Sequence, residues 1–108
     1  FITSQVINRG SGYLNFGRYR DAVREYKKAI FLNPNIMFTW NWLGYAYSQM
    51  GKSEKAIETY KKAVQINPLD IIAYHELGMG RLLKKDFKGA KPFFQKASTI
   101  GPEHKKII

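Results

Sequence analysis

The sequence predicts an all-α chain in which three helix-turn-helix hairpins stack into a right-handed superhelical array. Three observations predict it. Pro34, Pro68 and Pro102 recur every 34 residues, and so do Ala22, Ala56 and Ala90, then Tyr26, Tyr60 and Phe94, then Ala29, Ala63 and Ala97. Within each period the apolar spacing is helical and is broken once, near Gly17, near Gly51 and at Lys85-Asp86, which implies two helices joined by a tight turn. A fifth column places Gly10, Gly44 and Gly78 inside the first helices, where glycine costs on the order of 1 kcal/mol against alanine, so a close approach of the paired helix must offset it. A hairpin of this length cannot bury its apolar face alone, and stacking three of them gives a curved array of one domain over residues 1–108.

The elements follow in order. First helices are predicted over 3–16, 37–50 and 71–84, and second helices over 19–31, 53–65 and 87–99, in repeats spanning 3–36, 37–70 and 71–104. Gly10 and Gly12 together weaken the opening helix, so its amino-terminal turn should fray. Gly17 and Gly51 suit the left-handed position that ends a helix. Gly51-Lys52-Ser53 then reads as a helix stop with Ser53 as the next N-cap, and Asp70 is placed to cap the helix after it. Each proline follows a second helix, where a residue without an amide hydrogen stops it. The small alanines of the second helices face the glycine column, and the aromatics fill the space between hairpins.

Repeat two reads Trp40, Leu43, Gly44, Tyr47, Ala56, Tyr60, Ala63 and Pro68, which resembles the tetratricopeptide repeat, whose pattern is W-x-x-L-G-x-x-Y followed by A, F or Y, A and P. The resemblance covers over nine-tenths of the chain, with Arg9 in place of a leucine in repeat one and Arg81 in place of a tyrosine in repeat three. It implies that first helices line a concave groove and second helices form the convex back. The groove residues are then Ile7, Ser11 and Asn15, Phe38, Asn41, Trp42, Tyr45 and Gln49, and Ile72, His75, Glu76, Met79 and Leu82. Met37 to Met50 holds no charged residue, although a helix at a water-facing surface carries a charged stripe. That stretch is either buried or faces a partner, and aromatic anchors with adaptable polar neighbours suit a partner. Some family members hold a chaperone's carboxylate terminus with lysine, asparagine and arginine. The matching positions here are Ile7, Ser11, Trp42, Ile72 and Glu76, which lack the cationic donors such a clamp needs. A peptide segment or amphipathic helix of another protein is the expected partner.

The 18 Lys and Arg against 8 Asp and Glu give a formal charge of +10. Twelve of the 18 fall on second helices or their lead-in turns, from Arg18 to Lys96, several with acids at helical spacing such as Asp21 and Arg24, or Glu54 and Glu58 with Lys61 or Lys62. Single-strand binders interleave cations with aromatics on one surface; here the two are separated, so no nucleic acid is expected. Cysteine is absent, which removes disulfides, thiolate metal sites and thiol chemistry. His75 and His104 are 29 residues apart without partner ligands, so neither metal nor cofactor is expected. Ala46 to Ser53, A-Y-S-Q-M-G-K-S, formally matches a relaxed phosphate-binding loop, but it sits at a helix end instead of after a strand. No nucleophile, base and orienting acid converge, and the chain is expected not to be an enzyme. No apolar run is long enough for a membrane span, which leads to the expectation of a soluble segment; the compartment is left undetermined by the sequence, the cytoplasm being favoured.

The chain opens on Phe1 and is expected to be part of something longer. Glu103 to Ile108 looks too short for a capping helix, which would leave Leu83, Phe93 and Ile100 partly uncovered at the end of repeat three. A second expectation follows: the chain could act as a structural spacer of a longer array or self-associate through that end.

Overall fold

The computed structural model describes residues 2–107, and these form α1 (Ile2–Asn15), α2 (Tyr19–Leu32), α3 (Met37–Gln49), α4 (Ser53–Ile66), α5 (Ile71–Leu83) and α6 (Phe87–Ile107). α1 pairs with α2, α3 with α4 and α5 with α6, while α2 against α3 and α4 against α5 join consecutive hairpins. The array is 22 Å in its thinnest dimension, two helix diameters.

The glycine column does what its helix cost requires. A Cβ on Gly44 would stand 2.7 Å from the Tyr60 ring, one on Gly78 2.8 Å from Phe94, and one on Gly10 3.0 Å from Tyr26. The ring of each second helix therefore lies directly on the backbone of its own first helix. Ala22, Ala29, Ala56, Ala63 and Ala90 are buried around these rings, together with Leu43, Tyr47 and Leu77.

The three hairpin turns share one closure. The amides of Arg18, Lys52 and Asp86 donate to the carbonyls of Tyr13, Tyr47 and Arg81 at 2.8, 2.9 and 2.9 Å, the longer bond of a Schellman motif. Gly17 and Gly51 supply the left-handed residue at φ 74° and 75°, and Lys85 occupies the same position at φ 60°. Asp86 accepts from the Gly89 amide at 2.9 Å and from Arg81 Nη1 at 3.1 Å, so the arginine that replaces a tyrosine ties α5 to the start of α6. The cap of α4 stands one residue before expectation: Lys52 is its N-cap and makes no side-chain cap bond, leaving Ser53 inside the first turn.

The expected stop at Pro102 is not there. α6 runs on to Ile107, through the residues expected to form only a short tail. In the first two repeats the residue before proline is Asn33 or Asn67, extended, with Oδ1 accepting the amide of Asn35 or Leu69 at 3.2 Å. That side-chain turn is what reverses the chain. Repeat three has Gly101 at this position, which has no side chain to accept such a bond, and proline alone removes one helical bond without supplying an alternative.

Candidate partner-binding site

α3 has two unlike sides. Thr39, Leu43, Ala46 and Tyr47 are buried, whereas Phe38, Trp42 and Tyr45, at helical spacing of four and three, are 52%, 44% and 41% exposed. Trp42 and Tyr45 meet edge to face with centroids 6.2 Å apart, which fixes both rings at the surface. α5 repeats the arrangement: Ala73 and Leu77 are buried, Ile72 and Met79 exposed. The uncharged α3 is thus neither fully buried nor conventionally solvated, and its outer stripe is aromatic. Trp40, by contrast, is half-buried and donates from Nε1 to the Pro34 carbonyl at 2.7 Å.

The remaining expected positions divide. Gln49 and His75 are exposed, and the His75 ring lies 5.6 Å from Phe94, edge-on, so it leans towards α6. Leu82 is half-buried. Asn41 donates from Nδ2 to Asp70 Oδ2 at 2.9 Å, and Asp70 also accepts the Ala73 amide at 3.1 Å as N-cap of α5. Asn41 therefore links two hairpins, while its Oδ1 is buried without a hydrogen-bond partner. Ile7 lies in the core cluster and offers almost no surface.

The electrostatics are peripheral to this stripe. Burial raises the Tyr60 phenol above its ordinary value, and the nearby carboxylates Glu76 and Asp70 add to the effect. Burial likewise raises Tyr26, against a hydrogen bond of 3.0 Å with Ser11. Glu54 is held below the ordinary carboxylate range chiefly by its hydrogen bond and charge pairing with Lys84 at the end of α5, with Lys61 of its own helix and Arg81 adding smaller effects. Among the described residues no three His, Asp or Glu side chains gather as metal ligands, and no helix is long and apolar enough to cross a membrane.

Two features were not anticipated. Glu25 is a buried carboxylate between Arg9 and Lys28, each at 3.6 Å, so the arginine of repeat one pairs with a buried charge. A recess of about 670 Å³ also opens on the opposite side from the aromatic stripe, between α2 and α4 above α3. Its signal in the sequence was a break of period, since Thr59 stands where repeat three has Phe93.

The sequence pattern of the tetratricopeptide repeat matches residues 38–69, the unit that carries Phe38, Trp42 and Tyr45. Residues 38–69 are thus a tetratricopeptide repeat, and the whole chain has the fold of such an array. Its backbone superposes on the crystal structure of MamA with a TM-score of 0.93 and 29% identity, covering 96% of this chain and 61% of that one. The tetratricopeptide-repeat domain of Sgt2 from Aspergillus fumigatus gives 0.83 and 26%, covering 93% and 66%. The second such domain of Spaghetti (RPAP3), bound to the HSP90 peptide SRMEEVD, gives 0.84 at 20% identity and 91% of each chain, a likeness of fold. The chain thus spans less than two thirds of the first two structures. No curated protein matches the sequence.

Proposed function

We propose that this tetratricopeptide array is a protein-interaction module whose first helices form a groove for an apolar peptide segment or an amphipathic helix of another protein. The observation that carries the reading is the stripe of Phe38, Trp42 and Tyr45 on a helix without charge, continued by Ile72 and Met79. Large rings held at the surface by mutual contact gain area on binding at little cost in side-chain entropy. Spaghetti's repeat binds a peptide ending in acidic residues and valine, but Trp42 and Ile72 offer no cation at the clamp positions and Glu76 would repel that peptide's carboxylates. An apolar ligand follows. The test is a pull-down from the native source with wild type and a Trp42→Ala, Tyr45→Ala double variant, each checked for helicity. A protein held only by wild type supports the groove; equal retention by both overturns it.

One observation favours a second reading, contact between copies or array segments through the end of repeat three. Leu83 and Phe87 are 77% and 68% exposed there. Phe93 packs on the core instead, so a charge at Phe93 would test folding and not the contact. Leu83→Asp should abolish any concentration-dependent association in sedimentation if this reading holds, and leave it unchanged if association runs elsewhere.

A further inference from the structure

The recess behind the aromatic stripe has its own chemistry. Leu43 and Tyr47 of α3 form its floor, Lys27 of α2 and Lys55, Lys61 and Lys62 of α4 its rim, and Glu58 is its one acidic residue. Among the described residues none of these four lysines is in an ion pair, although the acids of the neighbouring surface pair with Arg9, Arg18, Arg24, Lys28, Arg81 and Lys84. Lys27 and Lys55 instead place their ammonium groups 6.0 and 5.7 Å from the centroid of the one Tyr47 ring. Four cations are thus held around a single apolar floor, and two of them rest on an aromatic that fixes where they stand.

The recess is specific to its place in the array. One period on, Tyr47 becomes Arg81, Lys55 becomes Gly89, Thr59 becomes Phe93 and Lys61 becomes Gln95. Phe93 stands in the register of Thr59, and packs on the core. The small residue and the extra cations occur together only between the first two hairpins.

We infer that this recess binds an acidic peptide segment carrying an apolar side chain, the apolar group entering over Leu43 and Tyr47 and the carboxylates meeting the four lysines. Charge complementarity commits the site to an anion, on a chain of net +10. A nucleic acid is the weaker fit, because the aromatics of the recess, Tyr47 and Trp40, are buried and half-buried and present no exposed platform on which successive bases could stack. A concave recess also does not present the protruding apolar side chains that a membrane surface takes up.

The test is fluorescence polarisation of the intact chain with a labelled peptide DEDLFDED. A polyglutamate of equal charge, an oligothymidine and phosphatidylserine vesicles serve as alternative ligands. The apolar-bearing peptide should bind in preference to all three. Lys55→Glu with Lys62→Glu should weaken it about tenfold or more. Thr59→Phe, which copies repeat three, should do the same at unchanged helicity, and Trp42→Ala should leave binding intact. Equal binding of polyglutamate, tighter binding of oligothymidine or vesicles, or indifference to the lysine reversals would overturn the inference.

Discussion

Lys85 and the two turn glycines occupy one register with one backbone geometry, and only the lysine carries a Cβ into the left-handed region. That conformation costs an L-residue about 1–2 kcal/mol, of which glycine gives back part through its freer unfolded state. Lys85→Gly should therefore stabilise the chain by about 0.5–1 kcal/mol, read as a melting temperature raised by a few degrees; an unchanged or lowered melting temperature would contradict the strain. The helix glycines give a sharper contrast. Gly44→Ala pushes a methyl into the Tyr60 ring and should cost about 1–3 kcal/mol, because ring and backbone both belong to packed helices. A methyl on Gly12 would meet nothing within 4 Å, so Gly12→Ala should stabilise by about 0.5–1 kcal/mol through helix propensity alone. Paired urea denaturation of the two variants checks the opposite signs. The column at Gly10, Gly44 and Gly78 was readable in advance because the penalty for helical glycine demands a packing reason; Lys85 was not, since no spacing rule marks a lysine as left-handed.

At the scale of the element, each hairpin is bounded by side chains that capture backbone groups. Asp70 is the strongest instance: it caps α5 through Ala73 and receives Asn41 from α3, while being nearly buried. Asp70→Ala removes the cap and leaves Asn41 without its partner, and should cost about 1–3 kcal/mol in chemical denaturation. A loss below about 0.5 kcal/mol would mean the cap is replaced by water. Five of the six helices lie within a residue of where periodicity put them at each end, because glycine stops, proline stops and apolar spacing agree there. The sixth does not: proline was read as the stop when the stop in repeats one and two is the asparagine before it. The site shows the same limit. Ile7, Asn41 and His75 share one register, next to the adjoining hairpin, and there side-chain chemistry decides the outcome: the aliphatic one folds into the core, the amide bonds across, and the imidazole leans outward onto Phe94. Register alone identifies the face; it does not say which members of the column remain free.

The whole molecule separates its surfaces by chemistry: uncharged and aromatic on α3, cationic on the second helices and their lead-in turns, where all twelve basic residues from Arg18 to Lys96 are exposed. Between the two layers lie the tyrosines that hold the first two hairpins shut, and they make stability depend on alkaline pH. Burial raises both Tyr60 and Tyr26 above 10.0, their ordinary value. Below that pH the phenol is neutral in folded and unfolded chains alike, and its contribution is fully present. Above it the unfolded chain releases the proton while the folded chain keeps it, so stability falls by up to about 1.4 kcal/mol per pH unit per tyrosine until the folded group titrates. Lysines lose their charge over the same range and relieve self-repulsion, which pushes the other way. Tyr60→Phe isolates the phenol, and Phe94 shows that the corresponding site in repeat three accepts a ring without a hydroxyl. Measured by urea denaturation from pH 8 to 11, the variant should lose less stability than wild type above about pH 10 and follow it below. Parallel curves across the range would show that the ring contributes packing and that its ionisation plays no part.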